Sequence, residues 1–133
     1  MVRIEYQGFE YPSQIGMGPF YAADFHGKSI LSKLSCYLNI TTRYSLMPDM
    51  WIDIKPYDNH GNIVMDHSSF LCAFHTINEM FDYVERSEIP ELAEAGFRIF
   101  YIEAHTFLVG SYQCAFRNTD VLSKVDITDY FLK

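Results

Sequence analysis

The sequence predicts an α+β fold, an antiparallel or mixed sheet with two or three helices on one face. A period-2 stretch opens the chain, with Val2, Ile4 and Tyr6 at alternate positions. Two other segments repeat their apolar residues at helical spacing, Ile30, Leu31, Leu34, Tyr37 and Leu38 in one and Ile77, Met80, Phe81 and Val84 in the next. The resulting order of strand, helix, strands, helix, strands lacks the regular alternation of a doubly wound parallel sheet. The 133 residues suit a single α+β domain over 1–133, because a chain of this size buries roughly two thirds of its unfolded surface without staples.

Each element has a local reason. The opening strand runs from Val2 toward Tyr11 and is broken by "PSQIGMGP", with its two glycines and two prolines. "FYAADF" follows as a second short strand. After His26 and Gly27, the stripe from Ile30 to Leu38 predicts one amphipathic helix that buries its apolar side on the sheet. "MWIDIKPY" alternates as a strand and ends where Pro56 removes a ladder donor. "YDNHGN" carries turn chemistry, and "SFLCAF" reads as a short buried strand. Thr76 three residues ahead of Glu79 is a capping-box pattern, in which hydroxyl and carboxylate each satisfy an orphan amide at a helix start. Ser87 caps a second helical piece with Pro90 in its first turn, and Gly96 stands where helices end in left-handed backbone. "FRIFYIEA" and "YQCAFR" are two strands, antiparallel neighbours separated by "HTFLVGS". The tail from Thr119 is strand or short helix, with a helical turn at "DITDYF".

Hydrophobic residues at 49% and charged residues at 20% are ordinary for a globular chain, but aromatics reach 17%. Some rings therefore lie on the surface. No apolar run approaches the roughly 18 residues of a membrane span, and the start lacks the basic and apolar regions of a signal peptide. The expectation is a cytoplasmic protein with no membrane partner. Cys36, Cys72 and Cys114 are scattered and never form a CxxC pair, against both a disulfide framework and a zinc site. His26, His60, His67, His75 and His105 show no HxH or HxxxH spacing, so no metal site is expected.

Ten basic against seventeen acidic residues give a net charge of −7. The surplus concentrates in Glu79, Asp82, Glu85, Glu88, Glu91 and Glu94, with Arg86 as the one basic residue among them. Nucleic acid is gripped through basic side chains that displace counterions, so direct nucleic-acid binding is not expected. An acidic surface suits a basic groove on another protein. The plainer reading of the same run is the solvated face of amphipathic helices, with carboxylates favoured near a helix N-terminus. The local surplus exceeds what solubility needs, which makes these six the candidate partner-binding residues. "GMGP", residues 16–19, fits neither GxGxxG nor the P-loop and reads as a tight turn with Gly16 and Gly18 at positive φ. Asp66, His67, Ser68 and Ser69 crowd suitable residue types together but read as a loop, because triad members converge from separate segments.

"CAFHTINEMFDYVERSEIPELAEAGFRIFYIEAHTFLVGSYQCAFR", from Cys72 to Arg117, resembles a family of small tailed-phage proteins. That family has a "CGF" strand, a helix with an "LxxWF" centre, then "AGF", a strand with a "YE" element and a closing "GxxQVVFR". The N-terminal "FEYPSQIGMGPF" is similar to the family's "VEHPxTGxGPY". The middle of the chain lies outside the likeness. Such proteins also resemble compact ADP-ribosyltransferase-like domains, whose strands carry an early Arg or His, an aromatic residue and a late Glu or Gln. That resemblance implies NAD as cofactor, Gln113 as the late-strand residue, Phe20 or Tyr21 as the aromatic one, and Glu10 or Glu103 as a further carboxylate. Glutamine can hold a ribose hydroxyl but brings no charge to a cationic transition state. The chain departs from the pattern at Gly8, two residues before Glu10, where an Arg is expected; Arg3 lies outside the aligned stretch.

The expectation that ranks first is a small phage-encoded accessory protein without cofactor. It binds a host or phage protein with a basic surface in the host cytoplasm, and its specific version is an anti-CRISPR or other anti-defence inhibitor. In this reading Gln113 holds a loop or bridges two strands by side-chain hydrogen bonds. An ADP-ribosyltransferase-like enzyme using Gln113, Tyr21, Glu10 and Glu103 ranks second, and a structural or assembly module third.

Overall fold

Six strands form two antiparallel sheets in the computed structural model, which describes residues 1–54, 60 and 70–133. They are β1 (Val2–Tyr6), β2 (Leu71–Ala73), β3 (Phe97–Ala104), β4 (Phe107–Val109), β5 (Cys114–Phe116) and β6 (Val121–Asp126). One sheet has the order β1-β3-β6 and the other β2-β5-β4. They meet at one bridge, where the Val2 amide donates to the Phe74 carbonyl at 2.9 Å and the Phe74 amide donates back at 2.7 Å. Among the described residues, four short helices complete the α+β fold: α1 (Tyr37–Tyr44), α2 (Met50–Asp53), α3 (Ile77–Met80) and α4 (Ile89–Glu94).

β1 is buried along its whole length, and its period-2 pattern sorts its two faces. Val2, Ile4 and Tyr6 join Phe97 and Ile99 of β3 in the main core, against Ile40 of α1, Met80 of α3, and Ile89 and Leu92 of α4. The opposite face buries charge. Glu5 accepts from the Lys124 amine at 2.6 and 2.8 Å and lies 3.5 Å from Arg3 Nε. Arg3 also donates to the Cys72 carbonyl at 2.6 Å and to the Gly16 carbonyl at 3.4 Å. A carboxylate 2% exposed is tolerable only with such partners, because an unpaired buried charge costs several kcal/mol, roughly 3–5 when one partner is removed. Of the three thiols, burial pushes Cys36 up to about 12 and Cys114 up to about 11, while Cys72 on β2 is exposed.

Local signals placed several elements well. β3 coincides with "FRIFYIEA", β2 lies within "SFLCAF", and the tail forms β6 followed by a tight helical turn at Thr128–Phe131. The Thr76 hydroxyl accepts the Glu79 amide at 3.2 Å at the start of α3. The Glu79 carboxylate reaches one residue further back than a capping box requires, accepting the His75 amide at 3.1 Å. Pro90 sits in the first turn of α4. The cap ahead of it is Glu85 rather than Ser87, and the Glu85 amide donates to the Glu88 carboxylate at 2.7 Å.

Other expectations are corrected by contacts distant in sequence. "FYAADF" is no strand: the amides of Tyr21 and Ala22 both donate to the Gly18 carbonyl, which turns the chain, and only Ala23 bridges to Ser29. Gly16 has positive φ at +89°, whereas Gly18 does not. The stripe from Ile30 to Leu38 does not form one helix. A single turn covers Leu31–Lys33, Leu34 is extended, and the Glu91 carboxylate then takes the amides of Ser35 and Cys36, so that α1 starts at Tyr37 and Leu38 is left exposed. "MWID" is the helical turn α2 rather than a strand, tied by Asp53 to residues 111–113. Most of "KPYDNHGN" lies outside the described residues. "FRIFYIEA" and "YQCAFR" are not neighbours, because β1 and β6 occupy both edges of β3, while "HTFLVGS" supplies β4 as the partner of β5.

Gly96 ends α4 at φ +106°, and a Cβ there would lie 2.9 Å from both Gly8 Cα and a Tyr6 ring carbon. Only glycine combines this backbone with this close approach. Gly96→Ala is expected to destabilise the protein by about 2 kcal/mol or more, seen as a lower midpoint in thermal unfolding followed by circular dichroism.

Candidate functional site

The six acidic residues divide into two groups. Glu88 is buried and accepts from Arg43 Nη1, which ties α4 to α1. Glu91 accepts the Ser35 hydroxyl at 2.7 Å and the Cys36 amide at 3.0 Å. The Cys36 thiol, the Ser35 hydroxyl and these amides hold its carboxyl at about 2, below the ordinary 4.5. Both residues therefore serve the fold. Glu79 is half-buried and pairs with His75 Nδ1 at 2.6 Å. Glu85 is exposed and 3.4 Å from Arg43. Asp82 and Glu94 are exposed, and their side chains make no hydrogen bond or ion pair among the described residues.

Gln113 has a definite task. Its side chain is buried, and its amide nitrogen donates to the Pro48 carbonyl at 2.8 Å, which fastens the connection between α1 and α2. Beside it the Asp53 carboxylate accepts three backbone amides, Ser111 at 2.7 Å, Tyr112 at 3.0 Å and Gln113 at 2.9 Å. A side chain at Gly110 would collide with that carboxylate. Together these bonds hold the β4–β5 turn against α2. A cleft of about 590 Å³ opens between them, lined by Ser45 to Pro48, Ile52, Asp53, Ser111 and Tyr112. Tyr83 lies in the same neighbourhood. Burial first, then the negative field of Asp82, Tyr112, Glu79 and Asp53, raises its hydroxyl pKa.

The Asp53 carboxylate is engaged by three amide donors that hold the β4–β5 turn. The cleft lining combines hydroxyls of Ser45, Ser111 and Tyr112 with the apolar side chains of Leu46, Met47, Pro48 and Ile52. Asp53, Ser111 and Tyr112 did not stand out in the sequence, because Asp53 falls in a segment that alternates like a strand and its three donors lie about sixty residues away.

Tyr21 and Glu10 are exposed in the N-terminal loop, Glu103 is exposed near the end of β3, and no hydrogen bond joins any of them to Gln113 among the described residues. Arg3 is buried and engaged by the Cys72 and Gly16 carbonyls. Residues 66–69 lie outside the described residues. Among the described residues no group of three or more His, Cys, Asp or Glu is placed to hold a metal ion, and no helix is long and apolar enough to cross a membrane.

These features define a small two-sheet α+β protein with a cleft between α2 and the β4–β5 turn. A model of the bacteriophage T4 Y00F protein family matches residues 1–128, and the chain belongs to that family. No curated protein and no solved structure matches the chain. The resemblance to small phage proteins thus rests on a match across nearly the whole chain, including the middle that the motifs left uncovered.

Two measurements probe this region. Asp53→Ala leaves three amides without their acceptor and is expected to cost about 1–3 kcal/mol in urea unfolding. Glu91 has a lower pKa in the folded state than in the unfolded chain, so its contribution is complete above about 4.5 and is lost as pH falls toward about 2. Glu91→Gln should flatten that part of the stability-against-pH curve.

Proposed function

We propose that this phage-family protein acts by binding, with its free carboxylates set against a basic surface of a host or phage protein. The supporting observation is the division of the acidic run. Glu88 and Glu91 are consumed by the fold, whereas the exposed side chains of Asp82 and Glu94 have no hydrogen-bond or ion-pair partner among the described residues and Glu85 is exposed beside Arg43. Charge left unpaired on an already acidic molecule accelerates encounter with a basic partner and makes association sensitive to salt. The specific form of this reading is an inhibitor of a bacterial defence system, an anti-CRISPR protein among the possibilities, since a small acidic phage protein can occupy a groove that evolved to hold nucleic acid.

The experiment is affinity capture from infected-cell lysate with the wild type and with Asp82→Lys/Glu85→Lys/Glu94→Lys, which spares Glu88 and Glu91. A stoichiometric partner retained by the wild type should bind the triple variant at least about tenfold more weakly, a loss of about 1.4 kcal/mol. Equal affinity in low salt would remove the acidic surface from the reading.

A further inference from the structure

A groove of about 240 Å³ opens where the main core ends, lined by Ile77, Arg86, Tyr101, Ile127, Tyr130 and Phe131. Its position follows from β3. Phe97, Ile99 and Tyr101 share one face of that strand by their two-residue spacing, but the first two are buried in the core whereas Tyr101 is 43% exposed. Ile77 at the start of α3, Ile127, and Phe131 in the turn Thr128–Phe131 pack on the same core. Apart from Arg86 and the hydroxyls of Tyr101 and Tyr130, the lining side chains are apolar.

Arg86 departs from the charge pattern of the molecule. The other arginines all pair with carboxylates: Arg3 with Glu5, Arg43 with Glu85 and Glu88, Arg98 with Asp126 and Asp129, and Arg117 with Asp120. Arg86 has no carboxylate partner among the described residues, although the chain carries seventeen acidic residues against ten basic ones. The reason is local. Glu85 and Glu88, on either side of it in the chain, are drawn to Arg43, and Asp129, next to Tyr130, is drawn to Arg98. Arg86 Nη2 instead donates to the neutral Tyr130 carbonyl at 3.2 Å, and its guanidinium carbon lies 5.8 Å from the centroid of the Phe131 ring. These contacts fix a planar cation at the wall of an apolar groove, and its other N–H donors have no partner among the described residues.

We propose that this groove binds a small monocarboxylate with an apolar body. A guanidinium fork matches a carboxylate through two parallel N–H···O bonds. The groove supplies one cation, which suits a single negative charge and leaves the second charge of a phosphate monoester uncompensated. Volume sets the size. Pockets for drug-sized ligands run from about 300 to 1,000 Å³, so a groove of about 240 Å³ suits a smaller body, one aromatic ring on a short chain. The ring covers the apolar surface of Ile77, Tyr101 and Ile127 and removes it from water, while the carboxylate meets a cation whose own neighbours have left it unneutralised.

The probe is hydrocinnamate, a phenyl ring on a short carboxylate chain, titrated into the isotope-labelled full chain and followed by amide NMR shifts. A ligand of about eleven non-hydrogen atoms is expected to bind with a Kd of about 5 mM or tighter, with shifts concentrated at Ile77, Arg86, Tyr101, Ile127 and Tyr130. The uncharged amide of the same acid should bind at least about tenfold more weakly. Arg86→Gln, at an exposed position, should keep its circular dichroism, weaken the acid by a similar factor and leave the affinity for the amide unchanged. Absence of groove shifts at about 20 mM acid, equal binding of acid and amide, or an Arg86→Gln variant that binds the acid as the wild type does overturns the proposal. A peptide ending in phenylalanine that binds at least about tenfold more tightly than hydrocinnamate overturns the small-molecule source and assigns the groove to the chain end of a protein.

Discussion

The pair of amide–carbonyl bonds between Val2 and Phe74 is the join on which the two sheets depend. Beside it, Arg3 sends its guanidinium from β1 to the Cys72 carbonyl on β2, so the same two strands are tied by backbone and by side chain. Because Val2, Ile4 and Tyr6 are committed to the main core, the polar residues between them must face the other way, and the fold covers them instead of leaving them in water. The ionic cluster of Arg3, Glu5 and Lys124 follows from that geometry. It also carries the β1-β3-β6 sheet across its width, since Lys124 lies on one edge strand and Glu5 on the other.

What the sequence made legible was local. Pro90 and Gly96 bound α4 through their own backbone preferences, Thr76 caps α3 within three residues, and the eight residues of β3 carry their burial pattern in their order. What it hid was decided at long range. Glu91 sets where α1 begins from more than fifty residues away, and Asp53 turns an alternating segment into a helical turn because its carboxylate has three amides to satisfy. The strand-like alternation of "MWIDIK" and the helical stripe at Ile30 to Leu38 are sound local preferences overridden by tertiary partners. The candidate site suffered most, since its cleft is assembled by Asp53 and Gln113, and an amide bonded to the Pro48 carbonyl leaves no mark in composition or spacing.

The charge of −7 says less about function than its distribution does. Carboxylates that cap amides or neutralise a buried arginine are structural, and counting them as surface inflates the apparent field. The remaining exposed groups, Asp82, Glu85 and Glu94, are fewer. Tyr83 feels both the cleft residues Asp53 and Tyr112 and the acidic residues Glu79 and Asp82.

The exposure of Cys72 has a practical consequence. The other two thiols are buried with raised pKa values, so a maleimide fluorophore should attach at this position first. The dye would then sit on the strand whose carbonyl Arg3 holds, next to the residue pair that unites the sheets. Its emission would report the parting of the two halves as a signal distinct from the loss of helix, a way to ask whether they come apart together or in sequence.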